Sequence, residues 1–434
     1  MKKSMMKTKI IGCIIACAAI YTNAMAQGGT KSPYSQFGLG SLMDASQGIS
    51  RGMNGVGMAL REGNQINTLN PASYAAVDSL TMLFDAGVTL QTINFKEGSL
   101  KQNASMADVE YVVGSFRAWK GVGMAFGVKP FSSVGYSYST KNTLNNSVGS
   151  LTETYSGSGG LHEVFLGIGW QVLKPLSIGV NAGYLWGDLN RSVTSSGGSN
   201  VNTLVKQYSV SVSNYDLSAG MQWVQPIGKR DRLTLGATVG IGHSLKADPT
   251  MSITIMNSTG TSDTTSFKVS DGLKLPMTYS IGAAYCHAKK LTVAADWSLE
   301  KWGSIDFPAF NASTNRYELT PGLLKDRMKV NAGVDWLPST NLLNRQYLSH
   351  IHYRFGVGIA TPYYKIGGQD GPKELSLSAG LGIPIMNGIN SRSVVNVSVQ
   401  WAHTSAKDMI TENALRLNIG VTFNERWFAK WKVE

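Results

Sequence analysis

The chain has 434 residues, with 39 Lys and Arg against 27 Asp and Glu and a formal net charge of +12. Only 15% of its residues are charged, while 48 are Gly and 3 are Cys. That length suits two or three average soluble domains or one large barrel. No apolar stretch approaches the roughly 20 residues of a spanning helix, which excludes a bundle of such helices.

The chain opens on Lys2, Lys3, Lys7 and Lys9, followed by the apolar run Ile10 to Tyr21 and the small-x-small site Ala24-Met25-Ala26. Residues 1–26 therefore read as a secretory signal peptide. A lipoprotein-type box at Ile14-Ile15-Ala16-Cys17 is the competing reading, with an apolar core of about seven residues. Cys13 and Cys17 lie in this segment, so Cys286 is the only cysteine of the mature chain. An intramolecular disulfide and a cysteine metal site are thereby excluded. Without the four signal lysines the net charge falls from +12 to +8 (39 − 4 basic against 27 acidic). A basic balance can mean nucleic acid, but export argues against that partner and for an anionic lipopolysaccharide surface.

Residues 27–82 carry Gly38, Gly40, Gly48, Gly52, Gly55 and Gly57, then Asn64, Asn67 and Asn70-Pro71-Ala72. A disordered tail would hold more charge and fewer apolar residues. The segment reads as a plug inside a lumen, where glycine lets backbone approach the wall and Asn satisfies buried backbone groups.

From 83 to 424 the sequence alternates with period 2, apolar on one face and small or polar on the other. Strand 1 shows Phe84, Ala86, Val88 and Leu90; strand 2, near 107–118, alternates least; strand 3 shows Val122, Met124, Phe126 and Val128. Strands 4 to 7 are marked by Leu166, Ile168 and Trp170, by Ile178, Val180 and Tyr184, by Tyr215, Met221 and Trp223, and by Leu233, Leu235 and Val239. Strands 8 to 11 follow through Tyr279, Ile281 and Tyr285, Leu291, Val293 and Trp297, Met328, Val330, Val334 and Trp336, and Phe355, Val357 and Ile359. Leu375, Leu377 and Leu381, then Val397, Val399 and Trp401, then Leu415, Leu417 and Phe423 mark strands 12 to 14. Such a run, with lipid on the apolar side and a polar lumen on the other, predicts an all-β transmembrane antiparallel barrel of about 14 strands with an N-terminal plug. Short links such as Trp119-Lys120, Lys174-Pro175 and Lys289-Lys290 alternate with long links at 134–160, 191–213, 246–271 and 303–324. Trp119, Trp186, Trp223, Tyr285, Trp302 and Trp336 fall near strand ends, as interfacial aromatics do. The last ten residues, 425–434, read as a periplasmic tail.

The plug segment resembles the FadL-type family of outer-membrane transporters for hydrophobic compounds. The resemblance is carried by Ser50-Arg51-Gly52-Met53-Asn54-Gly55-Val56-Gly57-Met58-Ala59 and by Asn70-Pro71-Ala72 just before the barrel. It implies a 14-stranded barrel with a hatch, a hydrophobic small-molecule ligand such as a fatty acid, and lateral release into the bilayer at an inward kink of strand 3. Gly52, Gly55, Gly57, Asn70, Pro71 and Ala72 would form the plug motif. Strand 3 here meets Lys129-Pro130-Phe131-Ser132-Ser133, with Gly135 beyond. Proline cannot donate to a ladder, so Pro130 marks either a lateral gate, with Phe131, Ser132, Ser133 and Gly135, or a plain strand end at the rim. The family also has relatives that hold secretion cargo, so a structural barrel binding protein partners is the alternative, and fold does not decide between them. Outer-membrane lipid, lipopolysaccharide and the barrel-assembly machinery are the other expected partners.

Catalytic, cofactor and metal sites are not expected. His350-Ile351-His352 puts two imidazoles on one strand face at the start of strand 11, without a nearby Cys or acidic cluster, and reads as polar strand-end residues. His403-Thr404-Ser405 with Asn413 has the residue types of a base, nucleophile and orienting amide, as in outer-membrane phospholipases, but lacks that family's wider motif. Gly167-Ile168-Gly169 and Gly356-Val357-Gly358 run on into strand, so they are read as lumen-facing glycines beside the plug, not nucleotide loops.

Overall fold

The computed structural model describes residues 31–143, 150–197, 201–257, 260–311, 313–341, 346–385 and 393–425. The expected signal peptide and the tail beyond Glu425 lie outside them. Fourteen antiparallel strands close into a barrel. They are β1 (Met82–Glu97), β2 (Leu100–Trp119), β3 (Val122–Thr143), β4 (Ser150–Gln171), β5 (Leu176–Ser196), β6 (Thr203–Ile227) and β7 (Asp231–Gly240). The second half is β8 (Thr278–His287), β9 (Leu291–Glu300), β10 (Arg327–Trp336), β11 (His352–Ala360), β12 (Lys373–Ile385), β13 (Ser393–Ser405) and β14 (Thr411–Glu425). Closure is made by β14 against β1, with Phe423 opposite Phe84. The last strand, β14, runs through Glu425.

Alternation sets which residues meet lipid. Along β10, Met328, Val330 and Trp336 are 44%, 50% and 50% exposed, whereas Asn331 and Asp335 are buried inside. Trp119, Trp223, Tyr285 and Trp336 stand on the outer wall near the short-turn end. Trp302 does not join them. It is buried in a short 3₁₀ turn, donates from Nε1 to Glu300 and packs on Tyr363, so it belongs to an outer cap.

Three of the expected long loops are mostly strand. β3 and β4 pair continuously from Tyr136–Gly157 to Thr143–Ser150, and β5 with β6 from Asp188–Ser211 to Ser195–Leu204. Within 246–271, Thr250–Met256 pairs with Ser262–Lys268. Ser, Thr and Gly on both faces hide the period there, because above the bilayer neither face needs to be apolar. The strands thus run well past the roughly 9–11 residues that cross a bilayer.

The plug consists of a 3₁₀ turn (Pro33–Gln36), a two-residue strand (Ser41–Leu42), the short helix α1 (Gly48–Gly52) and a second 3₁₀ turn (Pro71–Ala76). It lies on a bed of wall glycines. A Cβ at Gly123 would stand 1.9 Å from the Tyr74 carbonyl oxygen, one at Gly179 2.4 Å from the Pro71 carbonyl carbon, and one at Gly236 2.0 Å from the Met58 carbonyl oxygen. Gly169 and Gly356 likewise face Pro71 and Met53. The plug residue Leu39 joins Leu161, Leu185, Leu245, Trp302 and Tyr363 in one apolar cluster.

Facing the lumen does not mean facing space. Asn331 and Ser298 both line the inner cavity, but Asn331 is buried and abuts the plug residue Asn54 across Gly358, whereas Ser298 is half-buried. Val330→Arg is expected to cost about 2–4 kcal/mol near the midplane, and Ser298→Arg far less, measured as urea midpoints of refolding into vesicles.

Candidate functional site

Asn70 fixes the lower plug. Its Oδ1 accepts from the Ala72 N–H at 3.1 Å, capping the turn that Pro71 begins, and its amide donates to the carbonyls of Met58 (2.8 Å) and Met221 (3.1 Å). One side chain thereby joins two plug segments to the wall. Ala72 is fully buried, and Gly52 accepts from Ser378 Oγ at 3.0 Å. Gly55 has φ 81°, a left-handed value that a side chain would strain. The Gly57 and Met58 N–H groups both donate to Asp296 on β9, at 2.6 and 2.9 Å.

The wall has a seam beside β3. The β2–β3 ladder runs from Trp119–Val122 to Val112–Val128 and ends there. Above it, β2 pairs only with β1, while β3 continues along β4 with a register shift between Pro130 and Ser132. Pro130 therefore sits where one ladder ends and the other is bulged. The free lip of β3 is taken by the plug: Ser41 pairs with Ser133 and Leu42 with Ser132. The Met43 N–H donates to the Phe131 carbonyl at 3.0 Å, and those of Lys31 and Ser32 to the Gly135 carbonyl at 2.7 and 3.1 Å. Gly135 N–H donates to Ser35 Oγ at 3.1 Å. The opposite lip, β2, is held by charge, through Lys31 to Asp108 at 2.9 Å and the buried pair Arg51–Glu110 at 2.8 Å. The sequence motifs thus converge on one feature, a plug strand that closes the seam. Neither that strand nor its ion pairs was legible in the sequence, since two residues carry no period and the acids lie on the least regular strand.

Two cavities flank this latch. The inner one, about 450 Å³, is bounded by the plug and by residues of β1 to β3 and β8 to β14 and is rich in charge: Arg51, Arg327, Lys329 and Arg416 against Asp44, Glu110, Asp296, Glu300, Glu374 and Glu412. Most of these charges are spoken for, with Arg327 on Glu300 at 3.0 Å and Lys329 on Asp44 at 3.5 Å. The outer one, about 410 Å³, is apolar and aromatic, with Phe37, Tyr136, Tyr155, Phe307, Phe310 and Tyr317 in its wall.

A family model described as BamG matches residues 5–434. The chain belongs to the BamG family. No functionally curated protein matches it in sequence. Among solved structures, this BamG-family chain is similar to the Pseudomonas putida toluene transporter TodX (13% identity, TM-score 0.60, covering 89% of this chain and 100% of that one). It is also similar to the Ralstonia pickettii toluene transporter TbuX (14%, 0.60, 88% and 98%). A Pseudomonas aeruginosa FadL homologue aligns equally well (10%, 0.61, 88% and 99%). Identities this low establish the FadL-type fold and nothing finer.

The histidine candidates are placed as follows. His350 ends a 3₁₀ turn and is buried, while His352 begins β11 with Nδ1 3.0 Å from Asp335, so the two do not share a strand face as expected. His403 and Asn413 are opposed on β13 and β14, with Nδ1 2.8 Å from Oδ1. Among the described residues no hydrogen bond joins Ser405 to that ring, so the base and nucleophile are not engaged. Among the described residues no group of three or more His, Cys, Asp or Glu is placed to hold a metal ion.

Two outcomes test the latch and plug. Arg51→Leu, which leaves Glu110 buried without its cation, should destabilise the folded protein by about 3–5 kcal/mol, read from denaturant unfolding. Deleting residues 27–75 should leave a heat-modifiable barrel with higher conductance to small ions in planar bilayers, because the wall glycines would then face an empty lumen.

Proposed function

We propose that this chain is an outer-membrane conduit for hydrophobic small molecules, fatty acids among them, that are captured in the outer aromatic pocket and released sideways into the bilayer at the β2–β3 seam. The observation that carries the reading is the interrupted ladder: above Val112 and Val128 the lips of β2 and β3 are joined by plug residues and not by each other. Phe131, Ser132, Ser133 and Gly135, the expected gate residues, are the ones the plug holds. The proteins of similar fold include toluene transporters and a monoaromatic hydrocarbon channel, in keeping with an apolar cargo. A lateral exit suits such cargo, because each CH₂ returned to water costs about 0.8 kcal/mol. The charged inner cavity, by contrast, is a poor path for an apolar body, which favours leaving the lumen before reaching it.

A structural or secretion-associated barrel that binds protein partners is the second reading. It is favoured by the strands that continue far beyond the bilayer, β4 with 22 residues and β6 with 25. The BamG family, rather than a transporter family, is also the one that the whole sequence matches.

Locking the latch separates the two. Ser41 and Ser133 are directly opposed, so Ser41→Cys with Ser133→Cys should form a disulfide across the seam. Oxidised protein should take up an apolar fluorescent probe at least about tenfold more slowly than reduced protein, with barrel folding unchanged. Equal uptake in both redox states would remove the lateral route and leave the partner-binding reading.

A further inference from the structure

On the outer half of the wall, from β12 round through the closure to β2, charge is sorted by face. Glu374 and Glu412 line the inner cavity, and Glu97 shares the lumen parity of the buried Phe95. Lys373 and Lys96 take the opposite parity, that of the exposed Leu375 and Leu90, and Lys101 stands directly opposite Lys96 in the β1–β2 ladder. All three lysines are exposed. Like charges directly opposed on one sheet face repel. Among the described residues neither Lys96 nor Lys101 has an ion pair, and Asp370, the acid beside Lys373, is held by Lys325. One rung below the lysines runs a row of polar side chains on the same face. Asn94 donates to Asn103 at 2.6 Å and lies opposite Asn413, whose Oδ1 is 2.8 Å from His403 Nδ1. His403 stacks on Trp401 with ring centroids 5.8 Å apart. At and beneath that row the wall is apolar and exposed, with Leu90, Leu375, Trp401 and Leu415.

A surface built only for solubility intersperses both signs of charge. Here the acids turn to the lumen and the lysines to the membrane, so the protein does not neutralise them itself. Cations set above a hydrogen-bonding row and an apolar wall match an amphiphile with an anionic head. Lys96 and Lys373 are three strand steps apart, across β14 and β13. At the usual strand spacing that is roughly 14 Å, a span suited to a sugar-borne head and too wide for one small ion. We propose that this face is a binding site for the phosphorylated headgroup of an outer-leaflet glycolipid of the lipid A type. Its phosphate meets Lys96, Lys101 and Lys373, its sugar hydroxyls meet Asn94, Asn103 and Asn413, and its acyl chains run along the apolar wall. The site lies outside the lumen and is independent of what the barrel carries. It crosses the β14–β1 closure and ends on β2, one lip of the seam, so bound lipid braces both.

The test is a native mass-spectrometric titration of the delipidated protein with phosphorylated lipid A and with the same lipid A stripped of phosphate by a phosphatase. The phosphorylated form should bind about tenfold or more tightly, as expected for charge-assisted contacts to one head. Combining Lys96→Gln, Lys101→Gln and Lys373→Gln should bring that ratio to near one with heat-modifiability unchanged, and Lys96→Gln alone should lower it severalfold. Combining Lys229→Gln, Lys289→Gln and Lys290→Gln removes the same charge from exposed short turns at the other end of the barrel, and should leave the ratio as in the wild type. A wild-type ratio near one, a ratio that survives in the outer triple variant, or an equal loss in both triple variants would overturn the site. Displacement of lipid A by an equal concentration of phosphatidylglycerol would overturn its assignment to a glycolipid.

Discussion

Inside a bilayer every backbone N–H and C=O must find a partner within the protein, and the whole architecture follows from that constraint. Fourteen strands satisfy it by closing on themselves, β14 against β1. At one place the wall does not satisfy it alone. Above Val128 the inner lip of β3 is completed by plug backbone, so the plug is there part of the wall. A segment with that duty has to be held in register from both sides. Backbone hydrogen bonds to Phe131 and Gly135 do so on one lip, and the Lys31–Asp108 and Arg51–Glu110 pairs do so on the other.

The two lips are held by different physics. The ladder side is insensitive to salt and to charge substitution, whereas an ion pair depends on solvation. Arg51 and Glu110 are almost fully buried, while Lys31 and Asp108 are about a quarter exposed. The buried pair is costly to break singly, and the exposed one is worth little in water. Any opening of the seam therefore has a soft end near Lys31 and a hard end near Arg51. The two cavities repeat the contrast: acids and bases line the inner one, aromatic rings the outer one.

The barrel was legible in the sequence because period-2 alternation is a direct image of a two-sided wall. Met328, Val330 and Trp336 needed no further information. The loops were misjudged for the same reason, since above the membrane both sheet faces meet water or other loops and the period vanishes, as in Tyr136 to Thr143. The plug could be found by composition, and Asn70 by its helix-breaking neighbour Pro71. Its contacts could not, because Asn70 to Met221 and Arg51 to Glu110 join residues far apart in sequence whose pairing leaves no local mark. Trp302 was misplaced because nearness to a strand end does not say which side of the wall an indole takes.

The latch also draws the two ends of the chain together. Ser32 donates to Glu412, 380 positions away, and Tyr34 to the carbonyl of Ile410, 376 away. Those acceptors lie in or beside the last strand, so the segment before the barrel is fastened to the barrel's end. Contacts of such high sequence separation form slowly. The stretch that bonds Gly135 on one side of the seam is thus also tied to the barrel's last strand, so both ends of the chain meet at the one place where the wall is not made by the wall alone.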